Sequence, residues 1–183
     1  PGNVIQGRWT TNEEWEAVGG YHLQDSARIA FSDNPIYWHP TLGWPVKDIN
    51  GNNIILSDQD SYCVFNDSNN TISILGIQIA QTGYAYGVNF AKDILFFKYE
   101  ITNHGSQDYE NFYFSLYVDM DIGDNEGGVA EYDDDKLDFI KEQNLVYFFD
   151  DGLSSEWPGG KTGFMGMKFL KTPEINGVEA GIT

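Results

Sequence analysis

The sequence predicts an all-β fold, an antiparallel sandwich of the jelly-roll kind. Three observations lead there. Apolar and polar residues alternate in several short segments, aromatic and β-branched residues fill those segments, and clusters of Gly, Asn and Asp separate them. A chain of 183 residues, 41% hydrophobic and 15% aromatic, can bury a core and is too rich in core material for a disordered acidic tail. Residues 1–183 are therefore read as one sandwich domain. The ends, Pro1-Gly2 and Ala180-Gly181-Ile182-Thr183, suggest a piece of a longer chain.

The first forty-five residues differ in texture from the rest. Asn12–Val18 predicts the one short helix, with Thr11 and Glu14 as a capping box and Gly19-Gly20 as its stop. A weak strand follows over Ala27–Phe31. From Asn34 to Pro45, three prolines and the aromatics Tyr37, Trp38 and Trp44 occur without periodicity. That composition predicts an ordered, irregular segment lying on the sheet.

Strands are predicted over Ser61–Asn66 and Ser73–Tyr86, the second long enough that Gly76 or Gly83 would mark a bulge. In Ile94–Thr102, Leu95, Phe97, Tyr99 and Ile101 share one face, and Phe96, Lys98, Glu100 and Thr102 the other. After the polar turn 103–108, Phe112, Phe114, Leu116 and Val118 alternate with Tyr113, Ser115 and Tyr117, which predicts an antiparallel hairpin. Asn144–Asp150 and Gly163–Leu170 complete the set. The single cysteine, Cys63, lies in the apolar run Tyr62–Phe65 and reads as a small buried hydrophobe.

The formal net charge of −18 argues against nucleic acid as a partner, since phosphate binding needs clustered Lys and Arg. No apolar run is long enough to predict membrane insertion. More than half of the charge is concentrated in one stretch. Residues 119–151 hold nine Asp and three Glu against two Lys, a net of −10. At its head stands Asp119-Met120-Asp121-Ile122-Gly123-Asp124, where a strand end and a glycine turn would aim carboxylates at one point; Asp133, Asp134 and Asp135 follow. Hard cations such as Ca²⁺ take six to eight oxygen ligands, and a loop of Asp and Gly supplies them. The spacing is not that of an EF-hand, and the lack of nearby His and Cys argues against zinc or copper. A calcium site at Asp119, Asp121, Asp124, Asp133, Asp134 and Asp135 is the favoured reading, with a solvated acidic loop as its rival. A smaller group, Asp58, Asp60, Asn66 and Asp67, flanks a strand at both ends and reads as turn chemistry, with a second ion site as the minor alternative.

These residues also carry a resemblance. Ser57–Asp67, Gly76–Tyr86, Ile94–Asn103 and Phe112–Asp124 resemble a region of large secreted bacterial proteins of the Bacteroidetes, Ignavibacteria and related lineages. Many of those proteins end in a type IX secretion sorting domain. The family pattern F-x-x-Y-x-I-x-N followed by an aromatic strand and D-x-D-x-G-D falls on Phe96, Tyr99, Ile101, Asn103, Tyr117, Asp119, Asp121, Gly123 and Asp124, with paired Asp at Asp133-Asp134. Here Asn125–Tyr132 separates the two clusters, and Lys136-Leu137-Asp138 stands where the family has Gly-Cys-Asp. The resemblance implies an extracellular or cell-surface location and a multidomain parent, not a reaction.

Three functions are consistent with these readings. The first is a non-catalytic, calcium-stabilised structural or adhesive domain, partnered by other domains of its chain or by neighbouring subunits, even in a filament, through an exposed edge such as Ser73–Tyr86. The second is a carbohydrate-binding module, whose platform would be Tyr37, Trp38 and Trp44, or Trp157 ahead of Pro158-Gly159-Gly160; packing is favoured over this for the N-terminal aromatics. The third is a glycoside hydrolase or polysaccharide lyase, which needs a spaced carboxylate pair that an acidic chain provides by chance. No nucleophile elbow, phosphate loop, dinucleotide fingerprint or zinc-protease motif is present, and no catalytic residue is assigned.

Overall fold

The computed structural model describes residues 16–17, 29–38, 43–67, 74–110, 112–116, 118, 120–123, 135–150, 154 and 157–181. The fold is all-β and sandwich-like, built from antiparallel sheets and, among the described residues, broken only by short 3₁₀ turns. The chain divides into two units, Pro1–Phe112 and Tyr113–Thr183.

The first unit is one sheet. Its strands are β1 (Glu16–Ala17), β2 (Ala30–Phe31), β3 (Gln59–Asn66), β4 (Ile77–Ala85) and β5 (Leu95–Asn103). β3, β4 and β5 lie side by side in antiparallel order, and the short β1 and β2 both pair with the outer side of β3. Most of the helix predicted over Asn12–Val18 lies outside the described residues; its residues Glu16 and Ala17 are extended and face Asn66 and Phe65. The predicted bulge in the long second strand is absent. β4 starts after Gly76 and pairs without a break, from Ile77↔Asn103 to Ala85↔Leu95. Gly83 serves packing instead. A Cβ there would stand 3.0 Å from the ring of Phe97, the residue directly opposite on β5, so the missing side chain lets that ring lie over the strand. β4 is also central rather than an edge, because its neighbours on either side are β3 and β5.

The irregular N-terminal segment packs through its indoles. Trp44 is fully buried and donates its Nε1–H to Ile54 O at 2.9 Å, and Trp38 donates to Phe31 O at 2.7 Å. The two rings lie 5.8 Å apart at 51°. With Ala30, Val46 and Tyr62 they form the core beneath β2 and β3. The following loop closes on Asp48, whose carboxylate accepts from Asn50 N, Asn52 N and Asn52 Nδ2. Those bonds, led by the one from the Asn52 side chain, hold the Asp48 carboxyl below its ordinary range.

The hairpin predicted between Ile94–Thr102 and Phe112–Val118 does not form. Described residues 112–116 and 118 lie in no strand, and the turn after β5 bonds to the start of β4. His104 N donates to Gly76 O at 2.7 Å, Gly105 N and Asn103 Oδ1 close the turn, and the Tyr109 hydroxyl donates to Leu75 O at 2.7 Å. Hydrogen bonding thus ties 104–109 to the residues that lead into β4.

In the second unit β6 (Asp135–Ile140), β7 (Leu145–Asp150) and β8 (Phe164–Lys168) form an antiparallel sheet in that order. Asn144, left-handed at φ 50, turns the β6–β7 connection. A small hairpin, β9 (Glu174–Ile175) and β10 (Val178–Glu179), closes over Asn176-Gly177 with both residues at positive φ, as a type I′ turn demands.

The acidic group around β3 is structural. Asp60, 2% exposed, accepts from Leu56 N and Ser57 N at 2.9 Å each and from the Ser57 hydroxyl. Asp67, 1% exposed, accepts from the backbone N–H groups of Leu75, Gly76 and Ile77. Replacing Asp67 by Ala leaves those donors in the interior without an acceptor, which costs about 3 kcal/mol. Urea unfolding should show that loss for Asp67→Ala, whereas Asp33→Ala, whose carboxylate accepts one exposed side-chain bond from Gln59, should change stability by less than about 0.5 kcal/mol.

Candidate functional site

Of the six predicted metal ligands, Asp121 and Asp135 are described; Asp119, Asp124, Asp133 and Asp134 lie outside the described residues. Asp121 is exposed at the turn 121–123. Asp135 opens β6, and both of its carboxylate oxygens accept from Ile122 N at 3.2 Å, so its charge faces that turn. The sheet then supplies a residue that sequence spacing does not reveal. Asp150, the last residue of β7, is the direct cross-strand partner of Asp135. Its Oδ2 reaches to 2.7 Å from where a Cβ on Gly123 would stand.

The local chemistry follows from that placement. Directly opposed residues of an antiparallel pair hold their Cβ atoms roughly 4.5–5.5 Å apart, and like charges there repel. Two carboxylates therefore meet at one end of the sheet, against the backbone of 122–123. Gly123 makes the approach possible, since its φ of +116 and the nearness of Asp150 both exclude a side chain. Among the described residues no group of three His, Cys, Asp or Glu side chains is assembled. The described part of the site is a pair, Asp135 and Asp150, beside the exposed Asp121. Oxygen ligands of this kind suit a hard divalent cation.

The predicted glycan platform is not gathered in one place. Trp44 has no exposed surface, and Trp38 lies against it with its N–H committed to the backbone. The side chain of Tyr37 lies outside the described residues. Trp157 is 42% exposed, and its ring passes over Gly163, 3.5 Å from where a Cβ there would stand. Its neighbour in the same turn, Ser154, is 1% exposed and carries an Oγ without a hydrogen-bond partner.

Cys63 is half-buried on β3 opposite Gln81, and burial pushes its thiol above the ordinary value. No family model, no curated protein and no solved structure matches the chain.

Two outcomes follow from these geometries. Gly123→Ala forces Asp150 away and strains the turn, so thermal denaturation should show a loss of about 1–3 kcal/mol. The Cys63 thiol, with its folded pKa raised, keeps its proton to higher pH than in the unfolded chain. Its contribution to stability is whole below the unfolded pKa and is lost as pH rises through the folded one. At pH 8.5, alkylation by iodoacetamide should be at least about tenfold slower in buffer than in urea, and comparable rates would show an accessible, ordinary thiol.

Proposed function

We propose that the chain is a non-catalytic, calcium-stabilised structural or adhesive domain of a secreted or cell-surface bacterial protein. The observation that carries this reading is the Asp135–Asp150 pair. Two carboxylates stand directly opposite each other on adjacent strands, and one of them turns both oxygens to the Asp121–Gly123 turn. Carboxylate oxygens brought together at one turn are the ligands that a hard divalent ion takes. The density of Asp on both sides in sequence, at 119–124 and 133–135, supplies further ligands for Ca²⁺. The location follows from the resemblance to secreted bacterial surface proteins, and the partners are neighbouring domains or subunits.

Carbohydrate binding is the second reading, and the half-exposed indole of Trp157 favours it. A flat ring at the protein surface is the usual stacking partner of a sugar, although one ring makes a small platform.

Thermal melts with calcium and with chelator, at matched ionic strength, separate the ion site from a solvated acidic loop. Calcium should raise the midpoint by about 5 °C or more, as expected for a ligand bound only by the folded state. Asp121→Ala should lose much of that gain. The double variant Asp135→Asn/Asp150→Asn should respond little to calcium, because it removes two of the ligand charges. A wild-type midpoint unmoved by calcium, in protein shown metal-free by elemental analysis, would sink the calcium reading.

A further inference from the structure

The tripeptide Ile-Asn-Gly occurs twice, as Ile49-Asn50-Gly51 and as Ile175-Asn176-Gly177. Both asparagines are exposed. An asparagine followed by glycine readily loses its side-chain amide, because no side chain on the glycine shields its backbone nitrogen from the neighbouring Cγ. Local sequence and exposure are matched at the two places, so the fold sets them apart.

The first copy is clamped. Gly51 N donates to Asp48 O at 3.0 Å, and Asn50 N donates to Asp48 Oδ1 at 2.8 Å. Asn52 adds its backbone N–H and its side-chain amide to the same carboxylate, and Asp48 N donates to Asn52 O in return. At the base of the loop Ile54 N bonds Val46 O, and Ile54 O holds the buried Trp44 indole. For Gly51 N to reach Asn50 Cγ, the peptide between them must rotate, and its bond to Asp48 O is lost.

The second copy is held by little. Asn176 and Gly177, at φ 54 and 79, are the turn residues of β9 and β10, and each strand is two residues long. Gly177 N stands outside the ladder, whose pairs are Ile175↔Val178 and Glu174↔Glu179. A two-stranded hairpin is marginal in water unless it packs on something. Its one apolar pair, Ile175 and Val178, is 67% and 69% exposed. Its other pair opposes two like charges, offset in part by Lys171, whose Nζ lies 2.8 Å from Glu174. The hairpin therefore opens readily, and opening frees the 176–177 peptide to rotate.

We propose that Asn176 is a site of spontaneous deamidation, and that the Asp48 clamp protects Asn50 from the same reaction. Gly177 N, giving up its proton, bonds to Asn176 Cγ; the Cγ–Nδ2 bond breaks, and that nitrogen leaves as ammonia. Water then opens the cyclic succinimide at one carbonyl or the other, giving aspartate or isoaspartate. One ammonia is lost and one water is taken up, with nothing oxidised or reduced. Either product adds a negative charge next to the facing Glu174 and Glu179. Isoaspartate also lengthens the turn by a backbone carbon, which a two-residue type I′ turn does not accommodate, so β9 and β10 unpair. The proposal does not rest on the ion site.

Ageing the whole chain in mildly alkaline buffer, with and without urea, and mapping its peptides by mass spectrometry tests the proposal. In buffer Asn176 should be converted at least about tenfold faster than Asn50, because its peptide rotates without breaking a network of hydrogen bonds. In urea the two identical tripeptides should react within about twofold of each other, since the fold no longer distinguishes them. Asp48→Ala should speed the reaction of Asn50 in buffer about tenfold and leave Asn176, in the other unit, unchanged. Comparable rates at the two asparagines in buffer, the same preference persisting in urea, or an Asn50 still slow in Asp48→Ala would overturn the proposal.

Discussion

A carboxylate removed from water costs several kcal/mol unless hydrogen bonds replace its hydration, and β3 holds one such group at each end. Asp60 gathers the backbone of 56–57 at the start of the strand, while Ser32 Oγ accepts from its own N–H. Asp67 gathers the backbone of 75–77 just past the other end. Both contacts are nearly inaccessible to solvent. Their effect reaches beyond the bonds themselves. Asp67 follows the pair Asn66↔Gln78 and grips the residues that lead into β4, so a slip between the two strands would abandon three donors at once. The register of β4 with β5 is continued past their ends by His104 N on Gly76 O, and Ser32 ties β2 to β3. A side chain usually treated as surface material thus determines how the central strands meet.

The fold class and most strands were legible in the sequence because period-two alternation survives in them. Ser61–Asn66, Ile94–Thr102 and Asn144–Asp150 lie within a residue or two of β3, β5 and β7. Phe112–Val118 carries the same alternation and is no strand where it is described, since alternation reports amphipathicity and not a partner. The turn before it is held by the Tyr109 hydroxyl on the carbonyl of Leu75, 34 residues apart, a contact no local pattern encodes. β6 was hidden for the opposite reason. Leu137 and Phe139 alternate with Lys136 and Asp138, but the surrounding acidic run reads as loop. The β9–β10 hairpin has the Asn-Gly turn signal and only two residues on either side, too few for a period to show.

The candidate site was half legible on the same grounds. Density of Asp singled out Asp121 and Asp135, and density says nothing of direction. Asp150 belongs to the site only because β6 and β7 pair with it opposite Asp135, and Gly123 belongs to it through the carboxylate that occupies the space of a side chain. The aromatics show the same limit. Trp38, Trp44 and Trp157 are alike in sequence, yet Trp44 is interior and Trp157 is half in solvent, because Ile54 and Phe31 offer the first two indoles a buried carbonyl. The destination of the polar atom separates an anchor from a surface ring.

Acidic residues thus do two different things in this molecule, whose net charge is −18. Around β3 the carboxylates are neutralised by backbone dipoles and present little field to a partner. At Asp135 and Asp150 they stand opposite each other where β6 and β7 meet, turned toward the backbone of 122–123. Between these extremes stands β5, whose charged pair is balanced by itself and whose neighbouring residues are apolar. A strongly acidic protein repels its own copies over most of its surface, and that repulsion is weakest where local charge sums to zero.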